Sequence, residues 1–158
     1  VTADVSMIGS FTTNEDGETV HSFPIQVYWE DTDAGGIVYY ANYLKFIERA
    51  RTDLLRGLGI NQQTLMIEDG LNFVVRDCRI EYLQPARMDD SLHVRTRLSE
   101  LKGATMRMLQ SVHKNDQTLI KSEIRVACLQ ANGRPARFSP QIRDKFSSIT
   151  FSSGAAKT

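Results

Sequence analysis

Apolar and polar positions alternate from Phe23 to Trp29, with Phe23, Ile25, Val27 and Trp29 on one side and Pro24, Gln26 and Tyr28 on the other. A period of two predicts a half-buried strand. Pro24 has no N–H for a ladder, so it belongs at the strand start or on an edge. From about Tyr39 to Leu58 the period changes to that of a helix. Tyr40, Tyr43, Leu44, Ile47, Ala50, Leu54, Leu55 and Leu58 form one stripe, and Lys45, Glu48, Arg49, Thr52, Asp53 and Arg56 lie mostly off it. Arg49 and Asp53 stand at i,i+4 and are placed to pair weakly. Gly57 and Gly59 stop the helix. Asn61 to Gly70 reads as a short second helix or a lid segment, anchored by Leu65, Met66 and Ile67.

Four further runs have strand period, centred on Cys78-Ile80-Tyr82, Leu92-Val94-Thr96-Leu98, Ala104-Met106-Met108 and Ile120-Ser122-Ile124-Val126-Cys128. Lys102-Gly103 and Asn115-Asp116 are short enough to be hairpin turns, which makes their flanking strands antiparallel neighbours. Ser139-Pro140-Gln141 is a helix-start signal for a short terminal helix through Phe146. One strand, a long amphipathic helix and four antiparallel strands predict an α+β domain, a curved antiparallel sheet wrapped around a central helix. The domain spans residues 22–146. Residues 1–21 are polar and aperiodic and read as a flexible N-terminal segment, and 147–158 as a flexible tail.

Composition adds bounds to this picture. The chain has 158 residues, 41% apolar and 24% charged, which suits a single globular domain. Nineteen basic residues balance nineteen acidic ones, so no net field favours nucleic acid or an anionic membrane. No apolar run reaches the length of a membrane span and no leader pattern is evident, which predicts a cytoplasmic protein without a transmembrane segment. Cys78 and Cys128 lack metal-site spacing and fall on apolar strand faces, where they read as buried free thiols.

Candidate chemistry concentrates in Glu30-Asp31-Thr32-Asp33-Ala34-Gly35-Gly36, immediately before the long helix. Glycine allows a sharp bend and close approach to a ligand. A helix start offers N–H groups without intrahelical partners and a partial positive charge. An acid beside such donors is equipped for acyl transfer, as base or nucleophile with an oxyanion site. Asp also favours turns and caps, so a purely structural turn stands as the competing reading. Two carboxylates with no nearby His make a poor metal site, so no metal or cofactor is expected. His21, His93 and His113 do not assemble and read as solvated. No GxSxG elbow supports a serine triad. Gly133-Arg134-Pro135-Ala136-Arg137 is a small basic turn, open to reading as a solvated loop or as a phosphate holder through Arg134 and Arg137.

The stretch Val27 to Leu55, VYWEDTDAGGIVYYANYLKFIERARTDLL, closely resembles the hotdog-fold acyl-CoA thioesterases of the 4-hydroxybenzoyl-CoA thioesterase and YbgC type. Their signature is D-x-D, then A-G-x-V, then a tyrosine-containing segment entering the central helix. The element order extends the resemblance from about Phe23 to Cys128. It implies that Asp33 is the catalytic carboxylate and that backbone N–H groups near Tyr40 polarise the thioester carbonyl. Gly36, Val38 and Asn42 then become candidate substrate contacts. It also implies acyl-CoA as substrate and a homodimer or homotetramer with active sites at subunit interfaces. Position 40 is Tyr, as in the hydroxybenzoyl type, where YbgC-type members commonly have His. A backbone donor survives that change; an imidazole acid or base would not. A non-catalytic acyl-CoA sensor on the same fold is the alternative, and a hotdog dehydratase lacks a suitably placed His.

Overall fold

The computed structural model describes residues 6–149 and 151–152. Six strands, β1 (Ser10–Thr13), β2 (Thr19–Gln26), β3 (Leu71–Tyr82), β4 (Ser91–Leu101), β5 (Thr105–Lys114) and β6 (Gln117–Gln130), form one antiparallel sheet in the order β1-β2-β4-β5-β6-β3. Helix α1 (Asn42–Gly57) lies against the inner sheet face, which supplies Phe23, Ile25, Leu92, Val94, Leu98, Met106, Met108, Ile120 and Ile124 to the core. The expected hotdog arrangement is therefore present. β4–β5 and β5–β6 close through the two short turns the sequence marks, the second with Asn115 at φ 53°.

Local signals account for the ends of the remaining helices. The Asn61 side chain accepts the Thr64 N–H at 3.0 Å to start α2 (Gln62–Asp69), and Gly70 at φ 64° ends it. Ser139 Oγ accepts the Ile142 N–H at 3.2 Å to start α3 (Pro140–Ser147). Pro24 lies beyond the end of β1, where β2 has a single paired neighbour.

Several expectations are corrected. The segment read as flexible through His21 carries β1 and the first three residues of β2, and organised structure begins near Ile8. Its anchor is Asp53, which turns into the protein rather than toward Arg49. The Asp53 carboxylate accepts the Ile8 and Gly9 N–H groups at 2.7 and 2.8 Å and lies 2.8 Å from His21 Nε2. His21 and His113 are buried, not solvated, because the β1–β2 hairpin and the sheet cover them. Helix α1 starts three residues later than its apolar period suggests. Tyr40 and Leu44 are exposed and Phe46 is fully buried, because the chain through Tyr39–Ala41 belongs to the preceding turn. β3 begins at Leu71, and as an edge strand it leaves Cys78 exposed; Cys128 is buried, and both thiols are free. In the tail, Phe151 packs against the core, and Ser152 donates its N–H and Oγ–H to Glu18 Oε2 at 3.2 and 2.8 Å. Positions 1–5, 150 and 153–158 lie outside the described residues.

Candidate active site

The chain leaves β2 at Gln26 and enters a 3-10 turn over Trp29–Asp31, from which the acidic loop runs back to α1. Asp31 is buried and holds this loop shut. Its carboxylate accepts the Tyr28 N–H at 2.8 Å, and its carbonyl accepts the Tyr39 N–H and the Asn42 side-chain amide, each at 2.9 Å. A bridge between Thr32 and Val38 and a bond from Asp33 N–H to the Ile37 carbonyl (3.0 Å) continue the closure. Gly36, at φ 76°, makes the reversal, a conformation that L side chains adopt at a cost of about 1–2 kcal/mol.

Asp33 sits at the tip of this closed loop. Its side chain is exposed, and Oδ1 accepts the Gly35 N–H at 2.8 Å. The two acids of the D-x-D thus have different surroundings: Asp31 is built into the scaffold and Asp33 is presented by it. Gly36 supplies the turn. The Val38 side chain is buried, while its N–H donates to the Ala86 carbonyl at 2.8 Å. The Asn42 side-chain amide donates to the Asp31 carbonyl, so both Val38 and Asn42 help to fix the frame of the loop.

Helix α1 begins without a side-chain cap at Ala41, and among the described residues no acceptor takes the Tyr40 N–H. The Tyr40 ring is 61% exposed and packs edge-on against Tyr39 and Tyr82 at centroid distances of 5.0 and 6.0 Å. The Tyr40 carbonyl accepts the Tyr82 hydroxyl at 3.1 Å, and the buried Tyr43 hydroxyl accepts the Ala86 N–H at 2.9 Å. Tyr82, Ala86 and Arg87, which bridges to Ile37, complete the neighbourhood. Sequence reasoning passed over them because they lie more than forty residues from the motif; the only signal for them was the turn-rich Pro85-Ala86-Arg87 connection.

Arg134 and Arg137 stand elsewhere. They follow β6 at the sheet end where β4 turns into β5, with Arg137 against Gly103 and the Phe138 N–H bonded to the Gly103 carbonyl at 2.9 Å. Asp33 is at the opposite end, beside the β3–β4 connection. One chain does not bring those arginines to the acid; Arg87 is the cation that the fold sets beside the loop. No group of three or more potential ligand side chains suited to a metal occurs among the described residues, and no described helix is long and apolar enough to cross a membrane.

The family model of the thioesterase-like superfamily matches residues 27–146, from the end of β2 to the last helix. The acyl-CoA thioesterase YbgC of Haemophilus influenzae is 47% identical over 126 residues, covering 79% of this chain and 93% of that protein. The acyl-CoA thioester hydrolase YbgC of Escherichia coli O6:H1 is 40% identical over 128 residues, covering 80% and 92%. Among solved structures, a probable thioesterase from Bartonella henselae superposes with a TM-score of 0.74 at 37% identity, covering 76% of this chain and 99% of that one. The acidic loop, the helix start behind it and four of the six strands lie within the matched region, and the chain belongs to the thioesterase-like superfamily, as a hotdog-fold thioester hydrolase of the YbgC acyl-CoA thioesterase group.

Proposed function

We propose that the chain hydrolyses the thioester of a small or medium acyl-CoA, aromatic or aliphatic, with Asp33 as the catalytic carboxylate and the Tyr40 backbone N–H as an oxyanion donor. The observation that carries this reading is the division of labour in the loop. Asp31 and Asn42 hold it closed, while Asp33 stands exposed at its tip and the Tyr40 N–H, just before an uncapped helix start, is without an acceptor among the described residues. A thioester carbonyl is electrophilic enough to need only an oriented carboxylate and donors for the developing oxyanion.

Two routes use the same atoms. In one, an Asp33 oxygen attacks the carbonyl carbon, the C–S bond breaks, CoA leaves as thiolate, and water cleaves the mixed anhydride to return the carboxylate. In the other, Asp33 takes a proton from water as the hydroxide equivalent attacks, and the thiolate leaves from the tetrahedral intermediate. Acid quench within the first turnover, followed by mass analysis of the intact chain, separates them: an adduct of one acyl mass marks the nucleophilic route. Thiol release over a panel of aromatic and aliphatic acyl-CoAs tests the activity and its range. A chain that binds acyl-CoA and releases no thiol from any of them would be a sensor and would refute the reading.

The same reading makes the active form a homodimer or homotetramer, with the site completed at a subunit interface. β3 is a twelve-residue edge strand with much of its length exposed on both faces, and a free edge of that kind calls for pairing or protection. Tyr28, Trp29, Tyr39, Tyr40, Tyr82, Leu83 and Met88 are large exposed apolar side chains flanking the loop, and apolar surface of this kind marks interaction sites. Contributions from a second copy would also bring CoA-phosphate contacts, such as Arg134 and Arg137, within reach of Asp33. Two free thiols support a cytoplasmic setting.

A further inference from the structure

On the outer sheet face, away from α1, residues in register form a row that crosses five strands: Ser10 on β1, Ser22 on β2, Arg95 on β4, Ser111 on β5 and Lys121 on β6. Neighbouring strands stand about 4.8 Å apart, so each hydroxyl in the row adjoins the next side chain and Ser111 lies between the two cations. The row lines a groove of ≈ 700 Å³ walled on one side by the β1–β2 hairpin. Next to it His93 and His113, paired across β4 and β5, stack at a centroid distance of 5.2 Å. His113 Nε2 lies 2.7 Å from Ser111 Oγ.

Two of the groove's three cations, Arg95 and Lys121, stand outside the ion pairs formed among the described residues. Among the described residues no carboxylate is within ion-pair distance of Arg95 or Lys121. Glu18 at the rim is taken by Arg97 at 2.9 Å and by Ser152, and Asp90 by Lys114 at 2.8 Å. Glu81, the next residue of the row on β3, pairs with Arg79 at 3.5 Å. Asp116 is the acid whose charge reaches His93. Burial, and then the charges of Arg95 and His93, hold His113 down at about 4.

The geometry points to a second binding site, separate from Asp33, for a phosphorylated small molecule of nucleotide size, its phosphate oxygens held by Arg95, Lys121 and the Ser111 and Ser22 hydroxyls. Phosphate offers several strong acceptors to converging charged and hydroxyl donors, and the groove volume falls within the roughly 300–1,000 Å³ of small-molecule sites. A second copy of the chain docking here about a two-fold axis would set this cationic row against itself, so charge favours the anion over self-association.

Calorimetric titration of the full chain with ADP as probe tests the site. Saturable binding of one ADP per chain is expected, undiminished in Asp33→Asn. It should weaken about ten- to a hundredfold in Arg95→Gln or Lys121→Gln, the loss of one charge-assisted bond. Both variants should keep the KM for acyl-CoA within twofold and their thermal midpoints near wild type. No ADP binding at millimolar concentration, or binding unchanged in the variants, overturns the proposal. A parallel rise in KM for acyl-CoA would make the groove part of the thioesterase site and overturn it as well. A drop in oligomeric mass in the variants would reassign the face to subunit contact.

Discussion

Asp31 and Asp33 are two residues apart, yet the first is buried with its carboxylate on the Tyr28 N–H at 2.8 Å and the second is exposed at a loop tip. Asp33→Asn keeps the side-chain shape and removes the charge. It should abolish thioester hydrolysis while leaving the thermal midpoint nearly unchanged. Asp31→Asn should retain most of the turnover and cost about 1 kcal/mol of stability through its weakened bond. Steady-state kinetics and thermal melts on the two proteins check both halves. Equal kinetic losses would remove Asp33 from its assigned role.

Tyr40 is expected to act through its backbone. Tyr40→Phe should leave the turnover number within about tenfold, whereas loss of an oxyanion donor costs about a hundred- to a thousandfold. Tyr82→Phe removes the hydroxyl that holds the Tyr40 carbonyl at 3.1 Å and should have the larger effect of the two. A thousandfold drop for Tyr40→Phe at unchanged KM would make the phenol itself the donor.

The Asp53 carboxylate ties the N-terminal segment to α1 through Ile8, Gly9 and His21. Because it accepts from both backbone groups, His21 presents Nε2–H to it, which leaves the buried Nδ1 without a partner. Asp53→Ala strands three donors and should cost about 3–5 kcal/mol, in the range for breaking a buried pair. Limited proteolysis should then cut within residues 8–20 long before the sheet.

Stability should decline on acidification in two stages. Burial lowers His21, against the opposing pull of Asp53, and holds His113 at about 4. An unfolded histidine takes up its proton near pH 6.5, so the unfolded chain binds more protons and stability falls as pH drops from about 6.5 to about 4. His113 alone contributes on the order of 3 kcal/mol over that window. Asp53 is raised by burial but carried below its ordinary value by the Ile8, Gly9 and His21 bonds, so its contribution, present above about pH 4, disappears below it. Urea unfolding at a series of pH values should show this slope, and His113→Gln should flatten its upper part.

The oligomer is expected to depend on β3. Light scattering at micromolar concentration should give at least a dimer, and Val75→Lys, on an exposed position of the β3 edge, should lower both mass and activity. A fully active monomer would remove the interface from the mechanism.

The sequence made the sheet legible wherever one face of a strand is buried. β4, β5 and β6 alternate over most of their length, interrupted at Leu98/Glu100 and Val112/His113, and their turns are two or three residues long. β3 is legible only in its C-terminal half, because Leu71–Val74 are half-buried on both faces and a bulge between Val75 and Asp77 breaks the period. The α1 start was misplaced because Tyr39 and Tyr40 continue an apolar pattern without being buried. His21 and Asp53 were missed for a related reason: a polar pair buried against itself looks like surface in a periodicity reading. At the candidate site the D-x-D and glycines were local and visible. Their partners Tyr43, Tyr82 and Ala86 are joined to them only by folding.

The bare start of α1 has one further consequence. Just before the Ala41 cap, the Tyr40 N–H has no acceptor among the described residues, and under the proposed mechanism the thioester oxygen would be received there. The substrate then ties down the entry to the helix as well as filling the site. A non-hydrolysable analogue should therefore raise the melting temperature more than coenzyme A alone, because only the analogue brings an acceptor to that N–H.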